Sequence, residues 1–174
     1  MLGGLGVTRF ALTGGVGLGV WTRPRATTDI DICAILPAAA VMPLLARHDG
    51  LRTGAEELPD MVRFRIGDWD VDLFVAKDAY DLECLDRASA LTIDGVPVWV
   101  VSPEDLIIHK LIKLRLDRRR ILQDVADLRS LLEAQPQMDR SYLARWLPPA
   151  EYALVQALST LDDEAVLSRL LGRG

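Results

Sequence analysis

Two carboxylates separated by one residue, Asp29 and Asp31, are the side chains of this chain best suited to chemistry. Their apolar neighbours predict a strand, and alternation along a strand places both carboxylates on one face, about 6.6 Å apart. Aspartate is uncommon in strands, and two like charges held this close repel each other unless a cation lies between them. Oxygen ligands without an accompanying His or Cys favour Mg²⁺ or Mn²⁺ over zinc. The pair therefore predicts a divalent metal site.

A third carboxylate, Asp72, lies on another predicted strand. Residues 61–66 and 69–75 alternate in polarity around Gly67-Asp68, which predicts a β-hairpin. In the second arm the apolar side chains share one face, and Asp70 and Asp72 share the other. Three strand carboxylates can hold two magnesium ions roughly 3.5 to 4 Å apart, which clamp the attacking and departing oxygens of a displacement at phosphorus.

A glycine turn precedes the first acid pair. Gly14 and Gly15 follow a short apolar strand, and their backbone N–H groups have no Cβ to keep a triphosphate away. Glycines alone would indicate only a tight turn. Their combination with three strand acids favours metal-assisted nucleotidyl transfer.

The elements that must position these residues predict an α+β protein. Predicted strands cover 9–13, 28–36, 61–66, 69–75, 91–93 and 96–101, and predicted helices cover 16–21, 38–47, 78–87, 103–116 and 118–133, with two or three short helices over 139–174. Pro43 is expected to kink or split the helix 38–47, which Asp49-Gly50 should end. Residues 2–7 are too rich in glycine for a helix interior. We therefore predict an α/β core over 1–101 and a helical region over 102–174.

Composition narrows the class of protein. The 174 residues are 50% hydrophobic and 26% charged, which is typical of a globular chain. The net charge of −5 argues against a broad nucleic-acid footprint. Cys33 and Cys84 are too few for a disulfide framework and are expected to be buried thiols in a reducing cytoplasm. No apolar run reaches the roughly 18 residues of a membrane span, and no basic leader frames a signal peptide, so we expect no membrane association.

The order of the motifs resembles that of minimal nucleotidyltransferases of the polymerase-β superfamily, in particular the AbiEii-like branch of abortive-infection and toxin–antitoxin proteins. The motifs are Gly14-Gly15, Arg25-Ala-Thr-Thr-Asp29-Ile-Asp31-Ile, Val71-Asp72-Leu73, Ser102-Pro-Glu-Asp-Leu-Ile-Ile-His-Lys110 and Asp124-Val-Ala-Asp127-Leu. The likeness covers residues 9 to about 132. It implies a nucleotidyltransferase-like mixed β-sheet flanked by helices, followed by a small C-terminal helical region.

The resemblance also implies a role for each motif residue. Asp29 and Asp31 would bind the metal ions, and Asp72 would complete the site and act as base on the attacking hydroxyl. The residues expected to bind nucleotide are Gly14, Gly15, Arg25, Lys110 and Asp127, whereas the role of Asp124 is less defined. One departure is Gly15, because many members of the superfamily carry Ser at this position.

The expected function is transfer of a nucleoside monophosphate from an NTP to a hydroxyl or phosphate of tRNA or protein, with Mg²⁺ or Mn²⁺. A toxin or antitoxin protein is the partner that the resemblance suggests. Two alternatives stay open: a drug-modifying nucleotidyltransferase acting on an aminoglycoside or lincosamide, and a non-catalytic antitoxin-like interaction module. Gly15-Val-Gly17-Leu-Gly19 follows a predicted strand, as a dinucleotide-binding turn would. The G-x-G-x-x-G pattern of such sites requires a third glycine at position 20, where the chain has Val20, so this site is rejected.

Overall fold

The computed structural model describes residues 7, 9–48, 50–53, 58–117 and 119–171. The chain divides into two compact units, Met1–Ser102 and Pro103–Gly174. Three sequence predictions fall wholly or partly outside the described residues: the glycine-rich segment 2–7 apart from Val7, the helix stop at Asp49, and a helix start at Arg118.

A mixed sheet forms the centre of the first unit. Its strands are β1 (Phe10–Thr13), β2 (Asp29–Ala34), β3 (Leu51–Thr53), β4 (Met61–Ile66), β5 (Trp69–Val75), β6 (Ser89–Ile93) and β7 (Val96–Val100). Within the described residues the sheet has seven strands in the order β3-β4-β5-β2-β1-β7-β6. β2 runs parallel to β5 and β1 runs parallel to β7, whereas the other neighbours are antiparallel. Both predicted hairpins, β4–β5 and β6–β7, are confirmed.

Among the residues of this unit that the structure describes, three helices accompany the sheet: α1 (Gly14–Trp21), α2 (Ala38–His48) and α3 (Ala79–Arg87). α1 begins at the end of β1, two residues before the predicted start at residue 16. Pro43 does not split the second helix, since α2 continues through it. The buried α2 residues Ala40, Val41 and Leu44 belong to the main core, and their burial offsets the backbone hydrogen bond that proline removes. The sequence does not predict β3, since three residues show no clear periodicity.

One face of the sheet packs into the core. Alternate residues of β2, β4 and β5 form this cluster with α2: Ile32, Ala34, Ala40, Val41, Leu44, Val62, Phe64, Val71, Leu73 and Val75. Since side chains alternate, the intervening residues of the same strands lie on the opposite face. Burial of the apolar set therefore fixes which face carries the acids.

The second unit is helical. It contains α4 (Pro103–Leu116), α5 (Ile121–Ala134), α6 (Arg140–Trp146), α7 (Pro149–Ala157) and α8 (Asp163–Leu171). Buried polar contacts join these helices. The hydroxyl of Tyr142 donates to Oδ1 of Asp105 at 2.7 Å, and the backbone N–H of Asp139 donates to Oε1 of Glu104 at 2.7 Å. α5 begins three residues later than predicted.

The structure confirms the α+β class. Cys33 and Cys84 are buried and form no disulfide, as expected. Among the helices of the described residues, none combines the length and apolar character needed to cross a bilayer.

Candidate active site

The parallel pairing of β2 with β5 gathers acidic side chains on one face of the sheet. Asp31 lies opposite Asp72, and Asp29 lies opposite Asp70. Neighbouring strands are about 4.8 Å apart, and paired residues point to the same face. The three acids expected from the sequence, Asp29, Asp31 and Asp72, thus lie on the same face of two neighbouring strands. The fourth, Asp70, is placed on the polar face by the sequence but is not predicted to be in the site.

Two arginines of β4 extend these pairs into rows. Arg63 lies opposite Asp72, and Arg65 lies opposite Asp70. Each row therefore crosses β2, β5 and β4 as Asp–Asp–Arg. Neither arginine is predicted from the sequence. The two-residue connection between Ile66 and Trp69 is the available signal, since counting back from a hairpin turn of known length gives the pairing.

Arg63 binds the Asp72 carboxylate through two nitrogens of its guanidinium group. Its Nε donates to Oδ1 and its Nη2 donates to Oδ2, each at 2.6 Å. These hydrogen bonds, followed by the charge of the same carboxylate, raise the pKa of Arg63 above its ordinary value. The Asp72 side chain is 12% exposed, whereas that of Arg63 is 55% exposed. The carboxylate is therefore mostly buried while its partner reaches solvent.

The glycine turn lies against Asp31. Gly14 has φ +56°, and a Cβ built on it would stand 1.7 Å from Oδ2 of Asp31. A Cβ on Gly15 would stand 2.7 Å from Oγ1 of Thr27, and that hydroxyl donates to Oδ1 of Asp29 at 2.5 Å. Glycine at position 14 leaves room for the Asp31 carboxylate, and glycine at position 15 leaves room for the Thr27 side chain. The turn also starts α1, and the first N–H groups of a helix favour negative charge nearby.

Arg25 lies in the connection between α1 and β2 and is half-buried. Its Nη1 donates to the carbonyl of Ala26 at 3.1 Å. Its expected contact with phosphate stays a prediction.

Lys110 belongs to an ion cluster inside the second unit. Its Nζ lies 2.8 Å from Oδ1 of Asp124 on α5 and 2.6 Å from Oδ2 of Asp127 on the same helix. All three side chains are less than a tenth exposed. Gln123 adds a hydrogen bond to Oδ1 of Asp127 at 3.0 Å. The structure thus joins Lys110 to Asp124 and Asp127 through contacts between protein side chains, and nucleotide binding by Lys110 and Asp127 remains a prediction.

The strand acids suit a hard cation in their chemistry. Asp29, Asp31 and Asp72 supply carboxylate oxygens, the donors that Mg²⁺ and Mn²⁺ prefer. A carboxylate has about four lone-pair sites, so the two hydrogen bonds from Arg63 leave acceptor capacity on Asp72. In the part of the chain that the structure describes, no group of three or more His, Cys, Asp or Glu side chains is already gathered around a common point. The carboxylate oxygens fit Mg²⁺ or Mn²⁺ in their chemistry, and in this structure the positive charge at Asp72 is that of Arg63.

Comparison with known proteins finds neither a matching family model nor a matching curated protein. Among solved structures, the chain is similar to an antigenic nucleotidyltransferase-like protein from Paracoccidioides brasiliensis, with a TM-score of 0.55 and 16% identity over 98% of this chain and 87% of that one. A similarity to the antibiotic-resistance factor ANT(2'')-Ia has a TM-score of 0.46 and 15% identity, over 99% of this chain and 84% of that one. The first similarity shows that this chain has a nucleotidyltransferase-like fold, as the motif order predicted.

Proposed function

We propose that this chain is a nucleotidyltransferase that moves a nucleoside monophosphate from an NTP to an acceptor hydroxyl or phosphate. The observation that carries the proposal is the register of Asp31 with Asp72, with the Asp31 carboxylate set against Gly14 at the start of α1. The fold supports the same conclusion at the level of architecture.

In this proposal the strand acids hold the metal ions. Asp29, Asp31 and Asp72 would bind Mg²⁺ or Mn²⁺, which when bound neutralises charge on the triphosphate and polarises the reacting oxygens. Asp72 would accept the proton of the acceptor hydroxyl. The acceptor oxygen then bonds to the α-phosphorus, the bond to the bridging oxygen breaks, and pyrophosphate leaves.

The glycine turn would bind the nucleotide phosphates. The N–H groups of Gly14 and Gly15 lie at the beginning of α1, where helix geometry leaves donors for an anion. Arg25, on the connection that leads to β2, would add positive charge. Lys110 and Asp127 keep their expected role in nucleotide binding as part of this proposal.

The order of motifs further supports placing the chain in the AbiEii-like branch, and hence a role as a toxin–antitoxin component with a cognate protein partner. The proposed acceptors are tRNA or protein. A small-molecule acceptor, such as an aminoglycoside or lincosamide, is the alternative that the experiment must separate.

The test is transfer of label from each α-labelled NTP, with Mg²⁺, to total tRNA, to cell lysate protein, and to an aminoglycoside and a lincosamide. Wild type is compared with Asp31→Asn and Asp72→Asn. Asp68→Asn, in the turn of the same hairpin and exposed, is the matched control. We expect transfer by wild type and Asp68→Asn and no transfer by the two site variants.

The labelled product identifies the acceptor class. Label on a drug instead of a macromolecule would replace the proposed acceptor with the alternative. Absence of transfer to every acceptor, or equal transfer by Asp31→Asn, would refute the proposed reaction.

A further inference from the structure

Arg63 and Arg65 occupy equivalent places in the two Asp–Asp–Arg rows but make different contacts. Arg65 Nε lies 3.5 Å from Oδ1 of Asp70, and both side chains are at least 60% exposed. This is an ordinary surface ion pair, of a kind that contributes little to stability. Arg63 instead makes two hydrogen bonds of 2.6 Å to a carboxylate that is 12% exposed. The row that contains Asp31 is therefore the one with the tight, bidentate pair.

The two hydrogen bonds from Nε and Nη2 of Arg63, here called the Arg63 fork, place a positive charge against the Asp72 carboxylate. A bidentate guanidinium satisfies one lone pair on each carboxylate oxygen and aligns the carboxylate with β4. Asp31, on the neighbouring strand β2, lies on the opposite side of Asp72 from Arg63. Among the described residues, the acids are not gathered around one point. The fork gives Asp72 a positive partner on the β4 side of its strand, whereas Asp31 lies on the β2 side.

We propose that Arg63 is the resting counter-ion of Asp72 and that a divalent metal ion competes with it when the ion binds the Asp31–Asp72 row, because two cations at one carboxylate repel each other. This inference rests on the proposed function, since it assigns Asp72 to the metal site. The half-exposed Arg63 side chain has solvent into which it can turn, so displacement requires no rearrangement of the sheet. Arg63 is then a positioning residue that sets metal affinity by competing for the same two oxygens.

The test is the dissociation constant for Mn²⁺, measured by electron paramagnetic resonance and by calorimetry on the full chain without nucleotide. The variants are Arg63→Gln, Arg65→Gln and Asp31→Asn. Arg63→Gln and Arg65→Gln each remove one positive charge from the same strand and face, so their difference isolates the fork from general electrostatics. Thermal unfolding of each variant checks that it is folded.

We expect Arg63→Gln to bind Mn²⁺ about tenfold more tightly than wild type, because the ion then has no charge-assisted hydrogen bonds to displace from Asp72. Arg65→Gln should stay within about twofold, because its pair is long and exposed. Arg63→Lys keeps the charge but not the bidentate hydrogen bonds, so its affinity for Mn²⁺ should lie between those of wild type and Arg63→Gln. It also replaces Arg63→Gln as the test variant should the latter fail to fold.

The outcomes separate this inference from the proposed function. If wild type binds Mn²⁺ and Asp31→Asn does not, while the Arg63 variants bind no more tightly than wild type, the metal site stands and the competition is refuted. Equal tightening in Arg63→Gln and Arg65→Gln would also refute it. If wild type shows no Mn²⁺ binding that depends on Asp31, the metal site fails, and the role of Arg63 fails with it.

Discussion

Oδ2 of Asp31 lies 1.7 Å from the place where a Cβ on Gly14 would stand. The backbone of Gly14 has φ +56°, a conformation that residues other than glycine rarely adopt. Glycine is therefore needed at this position for two reasons: the backbone conformation of the turn from β1 into α1, and the space that the Asp31 carboxylate occupies. The two requirements can be separated experimentally.

Gly14→Ala is predicted to impair the site beyond its effect on the backbone. Gly67 in the β4–β5 turn has φ +58° and nothing within 4 Å of a built Cβ, so Gly67→Ala carries the same backbone strain without a clash. Each substitution should destabilise the fold by about 1–2 kcal/mol through the strained backbone. Only Gly14→Ala should also displace Asp31, which we expect to lower nucleotidyl transfer on the order of 100-fold.

The measurements are urea unfolding for stability and single-turnover transfer for activity. A similar decrease of activity in the two variants would mean that backbone strain, and not the position of Asp31, governs the effect.

Gly15→Ser is predicted to disturb Asp29 through Thr27. A Cβ at position 15 would stand 2.7 Å from the Thr27 hydroxyl that donates to Asp29. Adding Thr27→Ala removes the closest atom and leaves the Thr27 Cβ at 3.0 Å, so the two substitutions should be non-additive in the free energy of unfolding by about 0.5 kcal/mol or more. A double-mutant cycle in urea measures this coupling. Strict additivity would show that the chain accommodates serine without moving Thr27.

Lys110→Met is predicted to be strongly destabilising, because it leaves the buried carboxylates of Asp124 and Asp127 without this ammonium group. Removing one partner of a buried ion pair costs about 3–5 kcal/mol. Lys113→Met on the same helix is the control. Lys113 is exposed, and surface substitutions usually change stability by less than about 0.5 kcal/mol.

Urea unfolding of both variants, with ATP binding measured below the transition, tests this cluster. Equal stability of the two variants would contradict a structural role for the Lys110 cluster. Lower ATP affinity in a fully folded Lys110→Met would support its expected nucleotide contact.

Asp117, between α4 and α5, is predicted to titrate well below an ordinary aspartate. Hydrogen bonds from the Arg119 side chain and then its backbone N–H lower the pKa of Asp117 to about 2. Since the folded value lies below the unfolded value, the pair stabilises the fold above the unfolded pKa, and the effect disappears as the pH falls through about 2. Carbon-detected NMR titration of wild type and Arg119→Ala should show the midpoint rise in the variant. An unchanged midpoint would rule out Arg119 as the cause.

Local periodicity is enough to predict several parts of the site. The alternation around Asp29 and Asp31, and the polar face shared by Asp70 and Asp72, follow from the two-residue repeat of a strand. The β4–β5 hairpin follows from its turn. The glycine turn at Gly14-Gly15, at the end of the strand that precedes the acid pair, is also visible in the sequence. These features depend on residues that are close along the chain.

The chain's sequence by itself determined which residues face the core and which carry charge, because alternation is a property of each strand alone. Only the tertiary structure decided that Asp31 lies opposite Asp72 and that Arg63 closes onto that carboxylate. β2 and β5 are separated by α2 and the β3–β4 segment, so their register depends on how the apolar residues of the whole unit pack together. A shift of one residue would have moved the acids to the other face. Burial of the core therefore set the geometry of the site.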